Sequence, residues 1–237
     1  MSLSPDFTAF ARTYDDGAPQ AIFTSLVADL ETPVTAMLKI GKNARYSFLL
    51  ESVEGGAVRG RYSMIGLNPD LILRINGTLA EVNRTALDDE NNGFEAMAQD
   101  PLDALRVIMA ETKIDLPDAL PPMAAGLFGY MGYDMVRLME NLPQQNTDVL
   151  QVPDGIFIRP TVMAIFDAVK DEVTVVAPVY PNKQLNAKMA YEKACDRLDA
   201  VVDMLEQPLD PRIHKSPDAP AIQAPVSNTT PDQYKSM

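Results

Sequence analysis

The chain has little of what several classes of binding site require. It contains one cysteine, Cys195, and one histidine, His214, among 237 residues. A single cysteine excludes an internal disulfide and any zinc site built from cysteines. Basic residues are also scarce, since 20 Lys and Arg stand against 33 Asp and Glu and give a net charge of −13. Because nucleic acids and anionic membranes recruit clustered Lys and Arg, we expect neither as a partner.

Long apolar runs are absent from the sequence as well. No segment approaches the ~18 apolar residues that a membrane span needs, and Met1-Ser-Leu-Ser-Pro lacks the basic and apolar regions of a signal peptide. With 46% hydrophobic and 22% charged residues, the composition is that of an ordinary globular protein. We expect a cytoplasmic protein.

Cap signals predict three helices, which begin at Ser4-Pro5-Asp6, Thr32-Pro33 and Asp100-Pro101, and Gly41 ends the second. Apolar periodicity predicts a fourth helix from Lys183. In the third helix we expect the buried face to carry Leu102, Leu105 and Met109. The fourth runs to Gln207 and has an apolar stripe at spacings of three and four, formed by Ala187, Tyr191, Ala194, Leu198, Val201 and Leu205.

Apolar runs separated by turn signals predict antiparallel strands. Tyr46 to Val53 and Arg61 to Ile65 flank a glycine-rich turn, which is typical of a hairpin. Asn76-Gly77 separates 71–75 from 79–82 and predicts a second hairpin in which both turn residues have positive φ. Further predictions are a strand at 21–28, a loop at 84–99, a close backbone approach in the glycine-rich run 124–132, and a strand pair at 161–167 and 172–178. The fold class predicted is α+β, with antiparallel sheets and flanking helices.

Two polar residues, Glu51 and Ser52, lie where a buried strand would remain apolar. Along a regular strand their side chains point to opposite faces unless a bulge intervenes. Ser52 can donate or accept a hydrogen bond, Glu51 can accept one from an ammonium group, and the neighbouring aliphatic residues can pack an apolar side chain. Taken alone, the pattern is more typical of a strand end beside a Gly-Gly turn than of a ligand site.

A longer pattern around this hairpin, FLLESVEGG…GRYSMIG over residues 48–66, resembles the start of anthranilate synthase component I. Other stretches resemble the same family: T-P-x-x-A-x-x-K at 32–39, G-x-x-G-Y-x-x-Y-D-x-x-R…E-x-L-P at 126–143, and shorter matches at 153–154 and 165–167. The resemblance covers nearly the whole chain and implies the N-terminal half of the family's fold.

The resemblance implies an allosteric tryptophan site on the hairpin. In the family the serine of LLES belongs to the site where L-tryptophan binds and inhibits the enzyme, and Ser52 occupies that position. We assign Glu51, Leu50, Arg61, Tyr62 and Ser63 to the same site. Tyr130, Tyr133, Asp134 and Arg137 are interpreted as a helix start with packed tyrosines and an ion pair, rather than as a contact with a partner subunit.

The family converts chorismate and ammonia, or glutamine through a glutamine amidotransferase subunit (component II), into anthranilate and pyruvate. The resemblance places chorismate, Mg²⁺ and the catalytic residues in the C-terminal half, so that no catalytic or metal-binding residue is assigned here and the chain alone is expected to be inactive. His214 is expected to be solvated, Cys195 to be structural, and Asp88-Asp89-Glu90 to be a solvated run rather than a Mg²⁺ site.

The resulting domain prediction has three parts. Residues 1–206 are the regulatory region, 207–226 are a proline-rich linker, and 227–237 are the truncated start of the chorismate-binding domain, where Ser227, Asn228, Thr230 and Tyr234 match the family. The expectation is therefore a chain cut just inside its second half; a natural tail is the alternative.

Two other functions remain open at this stage. Aminodeoxychorismate synthase component I is a relative that uses the same substrate in the folate pathway. A stand-alone amino-acid-binding regulatory module, with no chemistry of its own, would bind tryptophan without any further domain.

Overall fold

The computed structural model describes residues 2–42, 44–54, 58–121, 123–143, 148–209, 227 and 229–236, with the backbone alone at 53, 54, 58 and 59. The chain divides into two compact units, Met1–Gln207 and Pro208–Met237. The first contains the sheet and four α-helices, and the second contains one short helix.

The first unit is built on one antiparallel sheet, as predicted. Its strands run in the order β1-β8-β7-β3-β4-β5, with β2 added beside β3 and β6 beside β7. Their bounds are β1 Gln20–Val27, β2 Phe48–Glu54, β3 Val58–Asn76, β4 Leu79–Asn83, β5 Phe94–Ala96, β6 Phe128–Met131, β7 Gly155–Asp167 and β8 Glu172–Val179.

Helices cover one face of this sheet. They are α1 Phe7–Asp15, α2 Pro33–Ile40, α3 Pro101–Thr112 and α4 Ala187–Glu206. Asp6, Thr32 and Asn186 each accept a backbone hydrogen bond as the N-caps of α1, α2 and α4, because their side chains satisfy N–H groups that lack an intrahelical partner. The predicted stripe of α4 is confirmed, with Ala190 buried in place of the half-buried Tyr191.

Strand β3 differs from its prediction. The runs 61–65 and 71–75 were expected to be separate strands, but they belong to one strand of nineteen residues. The interruption between them is a bulge: Pro69 pairs with Pro160 and Leu71 with Arg159, so that Asp70 is an extra residue, and Asn68 has φ +50. Bulges bend a strand without ending it, which a turn-like Asn-Pro-Asp sequence does not reveal.

The β3–β4 hairpin is confirmed, but its turn lies one residue later than predicted. Asn76 still pairs with Leu79, and the two loop residues are Gly77 and Thr78. Gly77 has φ +55. A glycine at the first central position is the requirement of a type II′ turn rather than of type I′.

The buried face of α3 was predicted wrongly. Ala104, Ile108 and Thr112 are buried, whereas Met109 is 57% exposed and Leu102 and Leu105 only flank the core. Both stripes satisfy the helical period, and the small Ala104 side chain allows the helix to approach β3 and β4 closely.

The segment 124–143 brings one confirmation and one correction. The close backbone approach is real, since a Cβ on Gly129 would lie 1.9 Å from the carbonyl oxygen of Ile156. Arg137 Nε donates to Asp134 at 2.8 Å, which confirms the ion pair. The tyrosines are not packed, because Tyr130 is 44% and Tyr133 88% exposed.

The predicted loop 84–99 contains β5, which pairs with β4.

The second unit contains α5 (Pro231–Ser236), which begins immediately after Thr230. Most of the predicted linker, together with His214 and Asn228, lies outside the described residues, as does the Gly55-Gly56 turn. Among the residues that the structure describes, no helix combines the length and apolarity that crossing a membrane would need.

The packing of α4 predicts a difference between two helix positions. Leu198 is fully buried, so Leu198→Ala should lower the free energy of unfolding by about 2–5 kcal/mol through lost burial and an internal cavity. Met189→Ala on the same helix, where Met189 is 45% exposed, should change it by about 0.5 kcal/mol or less. Urea unfolding measures both, and equal losses would contradict the packing described.

Candidate functional site

Ser52 lies in an irregularity of the β2–β3 hairpin. Glu51 pairs with Ser63 and Val53 with Arg59, so a single residue of β2, Ser52, stands opposite three residues of β3. Gly60 approaches it closely, since a Cβ there would lie 2.3 Å from both Cβ and Oγ of Ser52. The bulge that could bring Glu51 and Ser52 to a common site is therefore present, and it depends on glycine at position 60.

This irregular region borders a cavity of about 260 Å³. Its walls come from the β1–α2 connection, the β2–β3 hairpin and the β7–β8 turn. The lining residues are Ala28, Glu31, Thr32, Pro33, Glu51, Ser52, Gly60, Ser63, Phe166, Asp167, Ala168, Asp171 and Glu172.

The amino-terminal end of α2 forms one wall of the cavity. Thr32 and Thr35 make a reciprocal capping box, with Thr35 N donating to Thr32 Oγ1 at 3.1 Å and Thr32 N donating to Thr35 Oγ1 at 2.8 Å. Lys39 pairs with Glu31 and donates to the carbonyl oxygen of Leu205 at 2.7 Å. These contacts fix α2 against the end of α4 and direct the positive end of the α2 dipole at the cavity.

Arg61 and Asp167 fix the opposite wall. Arg61 Nε and Nη2 donate to the Asp167 carboxylate at 3.0 and 2.7 Å, and Ala168 N donates to the carbonyl oxygen of Arg61. The Arg61 hydrogen bond, together with N–H donation from Val169 and Lys170, holds the pKa of Asp167 below its ordinary value of 3.8. This pair couples the β2–β3 hairpin to the β7–β8 turn.

Only some of the carboxylates that line the cavity form ion pairs with described residues. Five acidic side chains border it: Glu31, Glu51, Asp167, Asp171 and Glu172. Glu31 pairs with Lys39 and Asp167 with Arg61, but among the described residues no ion pair involves the other three. Such a lining favours a ligand that carries a positive group, and the hydroxyls of Ser52 and Ser63 add both donors and acceptors.

The structure divides the residues assigned to the tryptophan site between two surfaces. Glu51, Ser52 and Ser63 line the cavity. Leu50, Arg61 and Tyr62 instead border a shallow depression of about 370 Å³, which Glu51 and Ser52 also reach. The guanidinium of Arg61 is engaged by Asp167 and lies 4.9 Å from the Tyr62 ring centre.

Several lining residues were not among those assigned from the sequence. They come from the β1–α2 connection and the β7–β8 turn, at Glu31 to Pro33 and Asp167 to Glu172. A signal for three of them existed, because Thr32, Pro33 and Asp167 belong to separate stretches that resemble the family. Three stretches that resemble the family, 32–39, 48–66 and 165–167, are distant in sequence but contribute residues to one cavity.

Curated proteins similar to this chain carry a common name. Anthranilate synthase component 1 of Cereibacter sphaeroides is 46% identical over 203 residues, which are 85% of this chain and 40% of that protein. The Synechocystis protein of the same name is 35% identical and the Thermus thermophilus one 38%, over 88% and 70% of this chain and 41% and 33% of theirs. This chain is homologous to anthranilate synthase component I. It spans about 40% of the length of these curated relatives.

A solved structure has a fold similar to that of this chain. The crystal structure of anthranilate synthase component I from Streptococcus pneumoniae TIGR4 matches with a TM-score of 0.50 and 24% identity, over 79% of this chain and 37% of that one. A scan of protein-family models gives no match. The fold predicted from the resemblance is thereby confirmed.

The Arg61–Asp167 pair makes stability depend on pH. Because the folded pKa of Asp167 is lowered, its stabilising contribution is present above the ordinary value of 3.8 and is lost as pH falls through the folded value. Arg61→Gln should therefore lower the free energy of unfolding at pH 7, and the gap to the wild type should close in the acid range.

Urea unfolding across that pH range measures the gap. Arg106→Gln is the matched control, since its pair with Asp103 is largely solvent-exposed and should contribute little at any pH. A gap between wild type and Arg61→Gln that did not change with pH would show that Asp167 is not the partner that matters.

Proposed function

We propose that this chain is the tryptophan-sensing part of an anthranilate synthase component I. The observation that carries the proposal is the meeting of three family-like stretches at one cavity: Thr32-Pro33, the Glu51-Ser52 hairpin and Asp167. Homology to proteins named anthranilate synthase component 1 supports the assignment.

The chemistry of the cavity suits a free amino acid. An amino-acid zwitterion needs acceptors for its ammonium group, and Glu51, Asp171 and Glu172 supply unpaired carboxylates. Its carboxylate would be favoured at the start of α2, where the helix dipole is positive, and near the hydroxyl of Ser52. The ligand would thus be oriented by opposite charges at its two ends.

The size and remaining walls of the cavity restrict the ligand further. Ala28, Pro33, Phe166 and Ala168 contribute apolar surface for a side chain. The volume of about 260 Å³ lies just below the range of ~300–1,000 Å³ typical of pockets for drug-sized molecules. A single amino acid is the appropriate scale, and L-tryptophan is the one that the family relationship favours.

The reaction itself belongs to the parts of the protein beyond this chain. We propose that the complete subunit converts chorismate and ammonia, or glutamine through component II, into anthranilate and pyruvate in the cytoplasm. Among the described residues, no group of three or more His, Cys, Asp or Glu is placed to hold a metal ion. The residues present here therefore do not fit a Mg²⁺ site, and the Mg²⁺ of the family would be bound elsewhere.

Feedback inhibition requires that tryptophan bind the inactive state better than the active one. A coupling of ~1–3 kcal/mol, or about 5–150-fold in affinity, is the usual scale. The walls of the cavity belong to separate elements, two of which are joined by the Arg61–Asp167 pair, so a ligand there could bias their relative positions.

Replacing Ser52 by leucine in the complete synthase should relieve inhibition. Ser52 already meets Gly60 closely, so a larger side chain would occupy the cavity and remove a hydroxyl. We expect the tryptophan concentration for half-inhibition to rise by at least about 5-fold while uninhibited activity is retained. The measurement is anthranilate formation at increasing tryptophan concentration.

Thr78→Leu is the control for this substitution. Thr78 lies in the exposed turn after the opposite end of β3, and its substitution should leave inhibition unchanged. A Ser52→Leu enzyme as tryptophan-sensitive as its parent would remove Ser52 from the site.

The product distinguishes the proposed enzyme from its folate-pathway relative. Complete protein incubated with chorismate, ammonia and Mg²⁺ should form fluorescent anthranilate and release pyruvate. Accumulation of aminodeoxychorismate without pyruvate would assign the chain to aminodeoxychorismate synthase instead.

A further inference from the structure

Arg197 on α4 carries a positive charge for which the described residues supply no hydrogen bond or ion pair. Its Nε atom is buried and has no acceptor within hydrogen-bond distance in the part of the chain that the structure describes. The residue as a whole is half-buried. No ion pair or hydrogen bond involves its guanidinium among the described residues, although its neighbours Ala194 and Leu198 are fully buried. A guanidinium remains protonated in proteins, so this is a positive charge in a poorly hydrated place.

The acidic residue that interacts electrostatically with Arg197 is already neutralised by another arginine. Asp70 is the extra residue of the β3 bulge, and it accepts two hydrogen bonds from Arg159, at 2.7 Å from Nε and 2.9 Å from Nη2. Asp70 acts electrostatically on Arg197 but forms no hydrogen bond with it. Two guanidinium groups therefore share one carboxylate, and the cluster of Asp70, Arg159 and Arg197 has a net charge of +1.

The phenol next to this cluster supplies no negative charge. Arg159 lies 4.0 Å from the ring centre of Tyr180, whose hydroxyl donates to the carbonyl oxygen of Thr112 at 3.0 Å. Burial holds the pKa of Tyr180 well above its ordinary value of 10.0, so the phenol remains neutral. Among the residues that the structure describes, no carboxylate other than Asp70 pairs with this cluster.

An uncompensated charge of this kind is costly, and a buried donor without an acceptor adds to the cost. Both are relieved by an oxyanion, because the planar guanidinium fork matches the oxygen spacing of carboxylate and phosphate groups. We propose that Arg197, beside the Asp70–Arg159 pair, binds a small oxyanion such as inorganic phosphate. The site is separate from the cavity at Ser52, none of whose lining residues it shares.

The test measures the thermal midpoint of this chain in increasing inorganic phosphate, with chloride replaced at constant ionic strength. Wild-type protein should gain about 3–6 °C for each tenfold increase in phosphate above Kd, because a ligand that binds the folded state stabilises it by RT ln(1 + [L]/Kd). Arg197→Met should lose this logarithmic rise, and it should be at least as stable as wild type in chloride because it removes the unpaired charge. Arg106→Met, on the exposed face of α3, should keep the full response.

Phosphate also stabilises proteins by exclusion from their surface, but that effect is roughly proportional to phosphate concentration and is shared by all three proteins. A wild-type midpoint that rises only in proportion to phosphate concentration, or a logarithmic rise that Arg197→Met retains, would overturn the proposal. So would a large loss of stability of Arg197→Met in chloride, since that would reveal a partner within the chain. If Arg197→Met does not fold, the ³¹P linewidth of phosphate with wild type and Arg197→Lys decides: only wild type should broaden it strongly.

Discussion

Strand β3 is the element on which the rest of the structure depends. It pairs with β2, β4 and β7, and its buried side chains reach the helix-covered cores on both halves of the sheet. Its two irregularities generate the two sites described above. The first, opposite Ser52, opens the cavity at the hairpin; the second makes Asp70 an extra residue and directs it to Arg159. Continuous pairing tolerates such bulges because the hydrogen bonds on either side of them are retained.

Charge is distributed unevenly between these two places. The chain as a whole carries a net charge of −13, and the cavity at Ser52 continues that excess with three unpaired carboxylates. The Asp70 cluster has the opposite sign. An ammonium group is thus favoured at the first and an oxyanion at the second. The two sites prefer ligands of opposite charge because they differ in how many arginines and lysines lie beside their carboxylates.

Local signals in the sequence predicted local structure well. The caps at Asp6 and Thr32, the apolar stripe of α4 and the alternating strands required only neighbouring residues. The cap signal at Asp100 placed α3 correctly although its side chain makes no capping hydrogen bond, and α4 begins after Asn186 rather than at Lys183. Predictions failed where two local solutions compete: Ile108 and Met109 both satisfy a helical stripe, and Pro69 is compatible with either a strand end or a bulge. Tertiary packing decides such cases, and a single sequence does not contain that information in readable form.

The candidate site was predictable only in part for the same reason. The Glu51-Ser52 hairpin was found through a family resemblance, but the contributions of Glu31 and Asp171 depend on long-range register. Arg61 was expected at the ligand, whereas the fold uses it to hold Asp167. The partly buried position of Arg197 was not predictable from the sequence. A charged residue on a predicted helix is expected to be solvated, and only the fold shows what surrounds it.

The site is tested by an NMR titration of the isotope-labelled complete subunit with L-tryptophan. We expect the amide signals of Thr32, Ser52 and Ser63 to shift together and saturably, while those near Arg197 do not shift. Shifts confined to another surface, or none at millimolar tryptophan, would contradict a tryptophan site in this cavity.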